Sequence, residues 1–193
     1  MHLSLMNPTF IAGVVAAALI IVFAVALYMR RRKKKTAELR QRFGPEYDQA
    51  VLTHGSERKA EAKLEDRETR VDKLKIRELG AAERERFVAE WQTVQSRFVD
   101  HPKSSVTEAD ELVSSLMQAR GYPVSDFDQR AADISVNHPR LVENYRSAHG
   151  VTARLGRDEA STEDLRTAMI HYHALFDELI QAQTPDKTIK SVA

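Results

Sequence analysis

Seven histidines, 28 carboxylates and no cysteine set the chemical repertoire of this 193-residue chain. Without cysteine there are no disulfides, no thiolate nucleophiles and no thiolate metal sites, and the composition matches a reducing compartment. His171 and His173 come nearest to a metal pair. The segment around them reads as a helix, where residues two apart point in nearly opposite directions, so one ion would not meet both. His173 is expected to pair with Asp177, and His171 with Glu178 or Asp164, as polar-edge contacts. His138 precedes a proline in a loop, and His149 sits by a helix end where the dipole favours a cation; both read as structural. Ser104, Ser105, Ser114 and Ser115 read as caps and surface hydroxyls, and the carboxylates fall on polar faces. No nucleophile elbow, phosphate-binding loop, dinucleotide fingerprint or HExxH pair occurs. The residues therefore assign no catalytic group, no cofactor and no metal ligand.

The elements that would carry these side chains begin with an apolar one. Residues 1–29 contain no Lys, Arg, Asp or Glu, and Phe10 to Met29 reads FIAGVVAAALIIVFAVALYM. As a helix this stretch spans roughly 30 Å, the thickness of a bilayer core. It has no polar face to offer water, and a helix satisfies its own backbone groups in lipid. A secretory signal would carry its cations before the apolar run and small residues after it. Here Arg30, Arg31, Arg32, Lys33, Lys34 and Lys35 follow it, and Tyr28, Met29 and Arg30 make a poor cleavage site. An uncleaved transmembrane helix over 10–29 is expected. The cations keep their end cytoplasmic, so residues 1–9 form a short extracytoplasmic N-terminus and the rest lies inside. The same six cations attract anionic lipid headgroups, at about 1 kcal/mol each near the surface. Gly13 and Ala17 form a small-xxx-small pair through which two anchors could approach.

Taking the six cations from 29 Lys and Arg leaves 23 against 28 Asp and Glu beyond Lys35. A mildly acidic soluble part is poorly suited to nucleic acid, which needs clustered cations on the folded surface. Residues 30–56 read as a polybasic and juxtamembrane linker, broken at Gly44-Pro45, with His54-Gly55-Ser56 as a stop and new N-cap. Residues 57–80 read as a charged juxtamembrane helix, continuous from Glu57 to Leu79. Ala60, Leu64 and Val71 form a thin apolar seam on it, with Leu74 at its edge. Glu57, Glu61, Glu65, Glu68 and Asp72 flank one side, and Lys59, Lys63, Arg67 and Arg70 the other. With Leu64 and Val71 at heptad a positions, Lys63 faces Glu68 of a partner in a parallel homodimer. Arg67 at a d position and Glu57 and Glu78 at a positions weaken that zipper. The plainer reading packs the seam on the chain's own domain.

From residue 81 to 182 the spacing predicts a small irregular helical bundle, so the fold class is all-α. Phe87, Trp91, Val94 and Phe98 share one helical face, which makes Trp91 a core residue before an interface anchor. Val106, Ala109, Leu112, Val113 and Leu116 mark a second helix, ending at Gly121-Tyr122-Pro123. Ser125 is expected to cap a third that buries Phe127, Ala131 and Ile134. Pro139 opens a fourth with Leu141, Val142, Tyr145 and Ala148 inward and Gly150 near its end. Ser161 and Asp164 cap the last, which carries Leu165, Ala168, Met169, Tyr172, Leu175, Phe176 and Leu179. Residues 183–193 read as a flexible tail. No repeat of 20 to 50 residues is present.

The run from Arg42 to Asp48, the stretch WQTVQSRFVDHP at 91–102, the Gly121-Tyr122-Pro123 turn and the STEDLRTAMIHYHALFDEL segment together resemble a family of uncharacterised bacterial proteins, single-pass when the anchor is present, seen in soil bacteria such as actinobacteria and acidobacteria. The likeness spans most of residues 38–180. It implies a bacterial inner membrane and carries over no site residues. Together these features point to a membrane-tethered interaction or scaffold protein that presents a helical cytoplasmic domain to a protein partner. The alternatives are an enzyme of unfamiliar type acting at the membrane surface, or a structural envelope component.

Overall fold

The structure, a computed structural model, describes residues 8–182 except Val124 and Asp158. Expectations for residues 1–7 and 183–193 lie outside the described residues. Eight helices and no strand occur among those described: α1 (Pro8–Phe43), α2 (Pro45–His54), α3 (Glu57–Asp72), α4 (Ala81–Arg97), α5 (Pro102–Ala119), α6 (Phe127–Asn137), α7 (Val142–Leu155) and α8 (Thr162–Gln181). They divide into two units, Met1–Gln41 and Arg42–Ala193.

The first unit is α1 up to Gln41. Its apolar stretch is long enough to cross a membrane, and none of its most apolar window is buried. Leu19, Ile20, Phe23 and Leu27 all stand exposed. The core helix of a water-soluble domain would hide one face, and this helix hides none over that stretch. The cations from Arg30 to Lys35, expected in a linker, lie inside the helix. No Gly or Pro separates Gly13 from Gly44, and Lys, Arg, Ala, Leu and Glu are strong helix formers, so nothing ends the helix at the cations. Lys34 and Glu38 add an exposed i,i+4 pair at 3.7 Å.

The second unit begins where α1 ends. Gly44 takes a positive φ of 51° and Pro45 opens α2, so the chain breaks where the Gly-Pro pair requires. Gly55, at φ 73°, donates its N–H to the Val51 carbonyl and closes α2. The Ser56 hydroxyl then accepts from the Lys59 N–H and starts α3. The region 42–80 is thus part of this compact unit, where the spacing had suggested a linker and a separate charged helix before a domain beginning at 81.

α3 stops at Asp72 and does not reach Leu79. Residues 73–80 turn away and run without regular structure past the end of α5. There the Arg77 N–H donates to the Arg120 carbonyl at 2.9 Å, and Leu79 enters the core. Gly121, at φ 97°, lets this segment lie close: a Cβ there would sit 2.4 Å from the Lys75 carbonyl oxygen. Tertiary packing overrides helix propensity here.

The core forms where α8 lies against α5 and α7, with α4 against α5 and α6 against α7. Phe87, Trp91 and Val94 of α4 and Val106, Leu112 and Leu116 of α5 are buried in it. The apolar stripe of α8 from Leu165 to Leu179 is buried as its spacing predicts. Ser161 and Asp164 cap each other's backbone at the start of α8. Three details differ from expectation. Asp126, not Ser125, caps α6 by accepting from the Gln129 N–H at 2.8 Å. Pro139 lies in the turn before α7, which starts only at Val142. Gly150 sits inside α7, which continues to Leu155.

The charged helix settles its own seam. α3 packs on α2 and α6, and Ala60, Leu64 and Val71 are all buried inside the unit. Glu68 forms an ion pair with Arg42 of the same chain, and Lys63 lies beside Asp66 at 3.8 Å. The surface that a parallel homodimer would zip is covered by the chain itself.

A candidate site at a buried carboxylate between helices two and seven

Pro45 occupies the first turn of α2, which places Glu46 at a helix N-terminus where its charge is favoured. The side chain points inward and is 2 % exposed. Arg67 of α3 donates to Oε1 at 2.6 Å. Arg146 of α7 closes a fork on both oxygens, Nη1 to Oε2 at 2.5 Å and Nη2 to Oε1 at 2.8 Å. Burial opposes the charged carboxylate and is the largest single influence on it. The two guanidiniums, Arg146 foremost, outweigh that opposition and hold Glu46 below the usual carboxylate range. Arg146 in turn is raised, chiefly by its bonds to Glu46.

A second buried carboxylate repeats the arrangement. Asp133 of α6, 1 % exposed, accepts from Arg70 Nε at 2.8 Å and from Gln129 Nε2 at 2.8 Å. Tyr47 adds a bond from its hydroxyl to Glu61 Oε1 at 3.1 Å. α3 therefore spends Arg67 and Arg70 on fastening α2, α7 and α6. Spacing alone placed these two on the flank of a dimer seam.

Above Glu46 the surface opens into a cleft of about 520 Å³ between α2 and α7. Pro45, Leu52, Pro139 and Val142 give it apolar walls. Asp48, Gln49, Glu143, Arg146 and Ser147 supply its polar groups. Leu52 is 79 % exposed, a large apolar side chain left to water at the edge of the cleft. A carboxylate kept ionised by two arginines is a poor proton acceptor at neutral pH. The arrangement suits recognition better than acid–base chemistry.

The histidines fall elsewhere. His138 Nδ1 lies 3.1 Å from Glu178 Oε1, and burial above all pushes its pKa down. Glu178 is thereby engaged by His138, where His171 had been an expected partner. Asp164 serves the α8 cap and lies 3.4 Å from Arg154. His173 and Asp177 approach at 3.5 Å, as their spacing suggests. His149 is inside α7, 3.4 Å from Asp110 and stacked on Phe127 at 3.7 Å. A carboxylate of α5 sets its surroundings, and the end of a helix does not. Behind it the Tyr172 hydroxyl meets Thr152 at 2.8 Å, and burial first of all raises the pKa of this phenol and of Tyr145. Trp91 is buried and stacks on Phe176 and His173, at 4.8 and 5.1 Å. No group of three or more His, Asp or Glu among the described residues could hold a metal ion.

Of the residues singled out from sequence, Arg30 to Lys35 are exposed along α1, Leu64 and Val71 are buried, and Lys63 and Glu68 are each beside a neighbour of their own chain. The Glu46–Arg146 fork joins residues 100 apart and leaves no local pattern by which it could be found. No protein-family model, no curated protein and no solved structure matches this chain.

Proposed function

We propose that this chain is a single-pass protein of the bacterial inner membrane, N-terminus outside, whose cytoplasmic helical unit docks a protein partner close to the bilayer. The observation that carries the reading is the order of features on α1: an apolar stretch with no buried face, then six exposed cations on the same helix. Each exposed Leu, Ile or Phe costs about 1.5 to 3 kcal/mol in water, so the stretch belongs in lipid. The cations then favour retention of their end in the cytoplasm and hold anionic headgroups. Their position after the apolar run also speaks for an anchor over a cleaved signal. The docking part of the reading is supported by a cleft whose deepest charge is fixed by arginines and kept from proton transfer.

The chain has no cysteine, so a single probe reports cleanly. Ser4→Cys should react with a membrane-impermeant maleimide in whole cells. Val99→Cys, at a position 84 % exposed, should react only after lysis. The reverse pattern would overturn the topology and the function built on it. Native protein extracted from membranes should carry a stoichiometric protein that the anchor-only variant, ending at Gln41, lacks.

A further inference from the structure

We infer that the cleft between α2 and α7 receives a basic juxtamembrane segment of another inner-membrane protein, resting here on the docking role proposed above. The segment's cations meet Asp48 and Glu143, and an apolar side chain lies against Leu52.

The charge of the cleft chooses the sign of its occupant. Its lining includes three carboxylates, Glu46, Asp48 and Glu143, against one guanidinium, Arg146, a balance of −2. Counting Arg67, which also bonds Glu46, still leaves −1. Arg146 closes two bonds on Glu46 and is thereby engaged, while Asp48 and Glu143 stand exposed on the two walls. A phosphate, a nucleic acid or an anionic headgroup meets net repulsion there, and Lys or Arg meets net attraction.

Charge alone does not complete the description. Asp48 and Glu143 lie in the first turns of α2 and α7, where the helix dipole favours acids whatever binds nearby. No such reason holds for Leu52, which is 79 % exposed on the same cleft. Pro45, Pro139 and Val142 extend its apolar surface. A simple polyamine would satisfy the carboxylates and leave Leu52 in water, so the fitting occupant carries an apolar side chain among its cations. The cleft side of α2, from Pro45 to Leu52, is about 11 Å long at helical rise. That is the length of about three extended residues, so a short segment fills it.

The bilayer narrows the choice further. Inner-membrane proteins concentrate Lys and Arg on their cytoplasmic side, within about 15 to 20 residues of the ends of their spans. Those segments are what a unit tethered by α1 meets most often. Confinement to one membrane raises their effective concentration, so a small cleft suffices.

The probe is a labelled peptide with one leucine between two pairs of lysines, titrated by fluorescence anisotropy into the full chain in an uncharged detergent. It should bind saturably, one per chain. Asp48→Asn with Glu143→Gln should weaken it about ten-fold, and Leu52→Ser about ten-fold as well. All three positions are exposed, so thermal melting followed by circular dichroism should be little changed. Asp48→Lys with Glu143→Lys should transfer the preference to a peptide with glutamates in place of the lysines. An absence of saturable binding, or binding indifferent to these variants, overturns the inference. Equal affinity for a peptide whose leucine is replaced by serine gives the cleft to a plain polycation and also overturns it. So does a dimer of the full chain that the peptide dissociates, which gives the cleft to a second copy. The docking role is scored separately, on protein extracted from native membranes. A stoichiometric membrane protein that Asp48→Asn with Glu143→Gln loses, and that carries a basic juxtamembrane segment, supports both. One that this variant retains leaves the docking role standing and overturns the cleft as its seat. A wild-type extract without a partner overturns the docking role, whatever the peptide does.

Discussion

Glu46 and Arg146, 100 residues apart in sequence, close on each other through two bonds of 2.5 and 2.8 Å, and Arg67 completes the cluster at 2.6 Å. Three helices meet at one carboxylate, so its loss should be felt by the whole second unit. Glu46→Gln leaves two guanidiniums facing a neutral amide and should cost about 3 to 5 kcal/mol in denaturant unfolding. Arg146→Lys keeps the charge but gives up the fork, and should cost about 1.5 to 3 kcal/mol. A loss under about 1 kcal/mol for Glu46→Gln would mean that the cluster behaves like a surface ion pair.

Acid should weaken this unit in two stages. The first belongs to His138, whose pKa in the folded protein lies below its ordinary value because burial opposes the charge. The unfolded chain then binds the proton more readily, so stability falls as pH drops below about 6.5, the ordinary histidine value. Glu46 has a folded pKa below its unfolded one. Its contribution is complete above the unfolded value and disappears as pH falls toward the folded value. Unfolding free energy measured across pH should therefore decline in the histidine range and again in the carboxylate range. His138→Gln should flatten the upper stage alone, and Glu46→Gln the lower alone. A profile unchanged by His138→Gln would remove that residue from the account.

Helix faces and stops were legible because they are local. The α8 stripe from Leu165 to Leu179, the Ser161–Asp164 cap and the Gly44-Pro45 break each depend on residues within a few turns of one another. The apolar helix was legible for the same reason, its composition being uniform along its length. What stayed hidden was set by distant partners. Glu57 to Leu79 has the composition of one helix, yet its last turns are pulled straight by the Arg77–Arg120 backbone bond and the close approach at Gly121. The spacing of Leu64 and Val71 predicts a buried seam without saying what buries it. Arg67 at a core heptad position was one of three discordant residues in the seam, with Glu57 and Glu78, and it is the one that reaches Glu46.

Gly121 and Gly44 separate two costs that a glycine can conceal. Both have positive φ, 97° and 51°, but only Gly121 has a neighbour in the way. Gly44, with ψ at −126°, lies outside the left-handed helical region in a conformation that side chains with a Cβ rarely enter, so Gly44→Ala should cost about 1 to 3 kcal/mol from the backbone alone. Gly121→Ala adds a Cβ 2.4 Å from the Lys75 carbonyl oxygen, and backbone cannot swing aside as a flexible side chain can. It should cost more than Gly44→Ala and loosen residues 73–80, read as faster amide exchange at Arg77. Equal costs at the two sites would mean that the segment yields freely.

The charged helix offers the most direct choice between packing inward and pairing with another copy. If α3 were half of a parallel zipper, Lys63→Glu would set a carboxylate against Glu68 of the second chain, and Glu68→Lys would restore the pair. Here Lys63 is exposed beside Asp66, and Glu68 is bound to Arg42 of its own chain. Lys63→Glu should therefore change stability by no more than about 0.5 kcal/mol, like most surface substitutions. Glu68→Lys should be the more costly single change, since it sets a cation against Arg42, and Lys63→Glu should not rescue it. Leu64→Asp should unfold the second unit outright, because Leu64 is fully buried and a carboxylate there would lose its hydration. Sedimentation of residues 42–193 should give a monomer before and after Lys63→Glu. A dimer that Lys63→Glu breaks and Glu68→Lys repairs would reverse the assignment, since a charge swap restores only residues that face each other.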